Sequence, residues 1–341
     1  MRSWIRTAVV TALALGLLAL FLRNANLQEV WRVMRQARLG LVAAGVGLLF
    51  FGYACRTARW QVMLMPIGPT RFAVALRATI IGFAASFVLP ARAGEVIRPW
   101  LLARREGLPV AAAFATILLE RVLDLVTVLV LLGLYFVAFD PGLSAMDPAM
   151  YAAVRGGALL AALAAAIGLG VMLACAADPA RLGRLVAWST GWLPQRPRQL
   201  VTGLSQSFAE GLAAVRDPRQ LVLALVWSVP LWLAIAAQIW VVSLALGVVL
   251  PPAGSLLVTA LLVVGVAVPT PGAVGGYHEA YRLSVTSFFA IDNDRAVAAA
   301  IVLHAVGFIP TLIAGAWMMA MEGLSPGSLA AQTRETQETR P

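Results

Sequence analysis

Lysine is absent from this 341-residue chain: all 26 basic residues are arginine, set against 16 acidic ones. Charged residues of both signs make up 12% of the sequence, hydrophobic ones 61%, and the mean hydropathy is +0.85. So little charge cannot cover a soluble globule of this size, which excludes a single soluble core and makes the chain an integral membrane protein. The two cysteines, Cys55 and Cys175, sit at the ends of apolar runs without CxxC or Cys/His spacing, so neither a disulfide framework nor a zinc site is expected. No G-x-S-x-G, H-E-x-x-H or G-x-x-x-x-G-K-[ST] motif occurs, and the GAVGG at 272–276 lacks the strand that a dinucleotide loop needs. From these absences we expect no metal, no cofactor and no enzymatic activity. The net charge of +10 falls between apolar runs rather than in a basic domain with interleaved aromatics, the pattern of membrane flanks and not of nucleic-acid binding.

What is present is apolar sequence in lengths that suit a bilayer. About 20 helical residues cross the hydrocarbon layer. The sequence predicts full crossings at 5–22, 39–57, 111–139, 149–175, 221–247 and 296–320. The first follows Arg2 and Arg6 but has no A-x-A site after it, only Arg23, Asn24 and Asn26, and reads as a retained helix. Two further runs, 71–89 and 254–268, end in Pro/Gly stretches and are expected as re-entrant arms, complete helices being the alternative. The longest polar connection, 176–219, mixes Trp188, Leu193, Phe208 and Leu212 with arginines, as helices lying at a membrane surface do. The expected fold is therefore an all-α polytopic membrane protein with about six crossings, two broken elements and inverted-repeat-like halves.

The halves are 1–139 and 149–320, within a transmembrane domain over 1–322 that leaves 323–341 as a polar, disordered tail. Glu95 to Glu120 and Glu279 to His304 are both 25 positions apart, placing a polar residue at the same relative depth after each break. Orientation stays open. If both breaks are re-entrant, Arg181, Arg184, Arg196, Arg198, Arg216 and Arg219 face the cytoplasm and Asp147 faces away, but Arg23, Arg32, Arg35 and Arg38 are then outside, against the positive-inside rule. If both cross fully, the conflict moves to the termini and to Arg56, Arg59 and Arg71.

Candidate functional residues gather at the breaks and in one helix. In 87–107, FVLPARAGEVIRPWLLARREG, Pro90 stops a helix and Gly94 permits a turn or a close approach. Glu95 and Arg98 then lie i, i+3, with Arg92 nearby. A helix restarting there would aim backbone N–H groups inward, where they favour an anion such as a lipid phosphate. In 268–282, VPTPGAVGGYHEAYR, Pro269, Pro271, Gly272 and Gly275 repeat the pattern, with Glu279 i, i+3 before Arg282. Inside the run 111–139, LLERVLDLV places Glu120 and Asp124 on one helical face with Arg121 in reach of Asp124. Each charge at such depth costs about 2.5–3.5 kcal/mol, so these side chains must face protein or water. An internal ion pair that locks helices is the alternative to a binding role. His304 lies inside the last run, as a core residue or a ligand-facing one.

These motifs together resemble the lysylphosphatidylglycerol synthase transmembrane family, a flippase-like membrane region, over nearly the whole chain. Its G-E-x-x-R-P element falls on Gly94, Glu95, Arg98 and Pro99, its E-R-x-x-D element on Glu120, Arg121 and Asp124, and its P-x-P-G…G…E element on Pro269, Pro271, Gly272, Gly275 and Glu279. The resemblance implies a lipid translocase of a bacterial inner membrane. Its partners would be membrane lipids, an anionic phospholipid or a polyprenyl-linked lipid, bound by these residues with Arg92 and His304. An arginine is expected where this chain has His304, so the same headgroup is not implied. A membrane-embedded enzyme or an accessory subunit acting on a lipid-linked substrate is the second reading, with Glu95 or Glu120 as general base.

Overall fold

The computed structural model describes residues 16–322, apart from 17, 90–92, 139–147, 191, 193 and 268–269. Helices are the only regular structure among the described residues. They are α1 (Leu27–Arg35), α2 (Leu39–Leu64), α3 (Phe72–Val88), α4 (Gly94–Glu106), α5 (Val110–Ala138), α6 (Pro148–Ala177), α7 (Pro179–Ser189), α8 (Gln195–Gly211), α9 (Ala213–Arg216), α10 (Pro218–Ala245), α11 (Gly254–Ala267), α12 (Gly276–Phe289) and α13 (Asn293–Met321). A 3-10 turn at Pro271–Ala273 joins the two helices of the second break. Several starts are set by side-chain caps: Asn26, Asp178, Asp217 and Asp292 accept backbone N–H groups at the heads of α1, α7, α10 and α13. Gly107, at φ 69, ends α4 in the left-handed conformation.

Among the described residues four helices are long and apolar enough to cross a membrane: Leu39–Leu64, Gly156–Ala177 within α6, Pro218–Ala245 and Asn293–Met321. Helix α5, at 29 residues, measures about 43 Å at the usual rise and also exceeds a layer of about 30 Å, although three charges interrupt its sequence. The expected crossing at 5–22 falls largely outside the described residues, as do the acidic connection 139–147 and the tail 323–341. Helices α2 and α10 pair antiparallel. The Arg38 N–H donates to the Ala245 carbonyl at 3.0 Å near one end, and Arg59 Nη1 donates to Ser228 Oγ at 2.9 Å near the other.

Both broken elements are helical hairpins that return. Helices α3 and α4 have 17 and 13 residues and α11 and α12 have 14 each, about 20–25 Å apiece, short of a full crossing. Glycine lets the two legs of each hairpin touch backbone to backbone. A Cβ on Gly94 would collide with the Gly82 carbonyl and Ser86, and one on Gly82 would lie 2.7 Å from Arg98 Cβ. In the second hairpin a Cβ on Gly265 would lie 2.5 Å from the Gly276 carbonyl. The hairpins open at opposite ends of the molecule. The first opens beside the end of α13, where Arg105 Nη2 meets Glu322 Oε2 at 3.2 Å. The second opens beside α1 and the end of α10, where the Asn26 N–H donates to Asp294 at 2.9 Å and Arg295 donates to the Gly247 carbonyl at 3.1 Å. Their tips meet between these ends: a Cβ on Gly272 would sit 3.6 Å from the Phe87 carbonyl, and the Phe87 ring also lies 5.0 Å from that of Phe308 on α13. The re-entrant expectation for 71–89 and 254–268 matches this arrangement; complete crossings do not.

Candidate functional site

Because α5 continues unbroken through its charged stretch, Glu120 and Asp124 fall on one face, one turn apart, and both turn inward. Glu120 has no exposed surface. Its Oε1 accepts from Arg56 Nη1 at 2.7 Å, Arg98 Nη1 at 3.0 Å and Arg121 Nη2 at 2.5 Å, and Arg98 reaches its second oxygen at 3.0 Å as well. Asp124 Oδ1 pairs with Arg59 Nη1 at 2.7 Å and accepts from Trp232 Nε1 at 3.1 Å, while its Oδ2 accepts from Arg56 Nη1 at 3.3 Å. Under Arg98 lies the Trp60 ring, 4.0 Å from the guanidinium carbon, fixed by its own hydrogen bond to Thr116 at 2.8 Å. Four guanidinium groups thus surround two carboxylates and leave an excess of two positive charges.

Above this cluster, between the hairpin tips, is a cavity of about 150 Å³. The first hairpin contributes Ser86, Gly94, Glu95 and Arg98 to its wall, α5 contributes Arg121, and the second hairpin contributes Thr270 and Gly272. Counting Glu95 with the cluster leaves an excess of one positive charge among the described residues. Arg98, only 3% exposed, keeps two donors, Nε and Nη2, without a partner among the described residues, and Arg121 Nε and Thr270 Oγ1 are in the same condition. A buried unpaired polar atom costs about 1–3 kcal/mol, and more when charged. A group carrying several anionic oxygens answers such a set of donors, because guanidinium binds it with paired, charge-assisted hydrogen bonds.

The structure therefore brings Gly94, Glu95, Arg98, Arg121 and Gly272 to one cavity, with Glu120 and Asp124 beneath it. It does not bring Glu279 there. That residue, in the first turn of α12, pairs with Arg282 at 2.8 Å, which also donates to Asn293 at the head of α13 at 3.0 Å. His304 braces the tip: its Nε2 lies 2.9 Å from the Gly272 carbonyl, and its ring lies 4.6 Å from that of His278. Gly272 at φ 59 and Gly275 at φ 88 make the turn in which Pro271 opens the 3-10 segment. Arg92 and Pro269 lie outside the described residues. Sequence reasoning missed Arg56, Arg59, Trp60, Ser228 and Trp232. The signal was CRTARW at 55–60, two arginines i, i+3 inside what proves to be a 26-residue helix.

Two opposed re-entrant hairpins over a buried arginine–carboxylate cluster define a multi-pass helical membrane protein. The chain belongs to the lysylphosphatidylglycerol synthase transmembrane region family, whose model matches residues 4–315. It is similar to the glycosyltransferase AglD of Haloferax volcanii, 29% identical over 97% of this chain and 56% of that protein, so it spans little more than half the length of this relative. No solved structure matches the chain. The likeness corrects one expectation: absence of soluble catalytic motifs implied no enzymatic activity, yet a relative similar along almost all of this chain is named for glycosyl transfer. The absence of soluble-enzyme motifs is therefore no ground for excluding enzymatic activity.

Proposed function

We propose that the chain acts inside the membrane on a lipid-linked substrate, as an enzyme or as the membrane subunit of one, and holds the substrate's anionic group in the cavity between the hairpin tips. The observation that carries this reading is Arg98, buried beside that cavity with two donors unpartnered. The family and the glycosyltransferase relative support a lipid-linked substrate and group transfer. Of the carboxylates at the site, Glu95 lines the cavity, whereas Glu120 lies beneath it, fully buried among guanidinium groups. Glu95 is therefore the general base of this proposal. A bacterial inner membrane is the setting we propose.

Translocation of the lipid is the second reading, favoured by one geometric fact: the hairpins open to opposite ends and share one cavity, as the two halves of an alternating-access transporter do. The two readings part in one experiment. The full chain in liposomes, given a labelled polyprenyl phosphate or phosphatidylglycerol with membrane extract as a source of glycosyl donors, is assayed for lipid mass and for leaflet distribution. A mass increase that needs Glu95 is the expected result. Movement between leaflets without a mass change transfers the site to translocation, and failure to bind either lipid overturns both readings.

A further inference from the structure

Between two membrane-spanning helices the chain makes an excursion, α7 and α8, that leaves from the end of α6 and returns to the head of α10 at one end of the molecule. Two features of this hairpin have no part in the cavity. From Asp178 to Glu210 it contains four arginines against two carboxylates, one at each end, and Asp178 both caps α7 and lies 3.5 Å from Arg184. It also carries Trp188 and Trp192, 82% and 81% exposed, the two most exposed large apolar side chains among the described residues. On α7, Arg181, Leu185 and Trp188 follow at i, i+4 and i+7 and share one face, and on α8 Leu200 and Leu204 are exposed one turn apart. Between the helices is a groove of about 410 Å³ walled by Gln195, Arg198, Gln199, Thr202 and Gln206, polar side chains with one cation among them.

The hairpin is not a loose loop. A Cβ on Gly211, at the end of α8, would collide with the backbone of Ala112, and Leu212 is buried with Leu102 and Leu119 of the first hairpin and α5. Its root is thus fixed to the body of the protein, while its outer surface combines indole rings and guanidinium groups. Tryptophan with one apolar and one polar edge settles at the boundary between acyl chains and headgroups, and arginine there meets lipid phosphate. Both ends of the excursion emerge from spanning helices at one membrane face, which sets its root at that face.

We propose that the α7–α8 hairpin is a docking surface for anionic lipid, with Trp188 and Trp192 seated at the acyl boundary, Arg181 on a surrounding phosphate, and the Arg198 groove holding one headgroup. An excess of two positive charges over 178–210, with both carboxylates at the ends of the hairpin, is what selects an anionic surface over a zwitterionic one. This site is separate from the cavity, and its test does not depend on what the cavity binds.

The test is hydrogen–deuterium exchange of 179–206 in the purified full chain, in nanodiscs of phosphatidylcholine alone or mixed with phosphatidylglycerol. Each arginine near an anionic surface is worth about fivefold, so exchange slows by about tenfold or more in the mixed discs, and raising the salt reverses most of the effect. The Arg181→Ala/Arg198→Ala variant loses this difference while exchange in α2 and α10 is unchanged. Equal protection in both kinds of disc, or in wild type and variant alike, overturns anionic selection. A hairpin unprotected in both overturns lipid docking and assigns the surface to a soluble partner.

Discussion

Glu120 is the residue on which the buried charges depend, because it accepts from three arginines of three different helices while having no contact with solvent. Removing its charge leaves four guanidinium groups facing one carboxylate in a medium that solvates them poorly. Breaking a buried pair in this way costs about 3–5 kcal/mol. Arg98 differs, since only part of its guanidinium is used by Glu120 and the rest lines the cavity. Glu120→Gln is expected to lose that stability in a thermal-unfolding assay in detergent. Arg98→Lys keeps a charge for Glu120 and is expected to unfold close to wild type while binding of a labelled lipid phosphate falls at least about tenfold, the value of one lost charge-assisted contact. Arg32→Ala, on an exposed side chain paired with Glu29, is the control and moves neither measurement. A matched loss of stability in Arg98→Lys and Glu120→Gln would return Arg98 to a purely structural role. The carboxylates were legible in sequence because a charge inside a long apolar run stands out. Arg56 and Arg59 were not, because two arginines late in an apolar run look like the membrane edge; the expected helix 39–57 ended there, whereas α2 runs to Leu64 and buries both.

At the scale of elements, the two hairpins each have legs that meet at a pair of glycines. Their existence was readable from Pro and Gly closing short apolar runs, and the expected arms 71–89 and 254–268 lie close to Phe72–Val88 and Gly254–Ala267. The pairing was not readable, because nothing in a single sequence states that Gly82 faces Gly94 or that Gly265 faces Gly276. Nor could it reveal that Glu279 keeps to its local partner Arg282 while Arg98, at the same spacing after its own glutamate, reaches across to Glu120. Gly94→Ala is expected to push α4 from α3. The collision is with backbone that cannot rotate away, so a loss of about 1–3 kcal/mol or more follows, together with loss of lipid binding, since Gly94 is also in the cavity wall. Gly133→Ala in α5, where a Cβ would meet nothing within 4 Å, should instead be neutral or stabilising by up to about 1 kcal/mol, as alanine favours helix. Comparable behaviour of the two variants in thermal unfolding would mean that the hairpin is not held by this contact.

For the whole molecule, the contacts fix which loops share a membrane face even though charge counting left two topologies open. Arg71 pairs with Glu106 at 3.2 Å across the mouth of the first hairpin, and Arg105 of the same hairpin pairs with Glu322 after α13, so 65–71, 106–109 and 322 lie together. At the other end Asn26, Gly247, Asp294 and Arg295 are joined directly. Five long helices alternate between these ends in chain order, which puts the arginine-rich 178–219 on the face of Glu322 and the connection 246–253 on the opposite face. The positive-inside rule then assigns the first face to the cytoplasm. The four arginines of 23–38 remain on the other side, where the local contacts of α1 hold them: Arg32 to Glu29, Arg35 over the Trp31 ring, and the Arg38 N–H on Ala245. In a Cys175→Ser background, with Cys55 buried, Val249→Cys should react with an impermeant thiol reagent in intact cells, whereas Met65→Cys and Ser189→Cys should react only after the membrane is opened. Met65→Cys and Val249→Cys reacting from the same side would require the first hairpin to cross, which the lengths of its legs and the glycine contacts between them oppose.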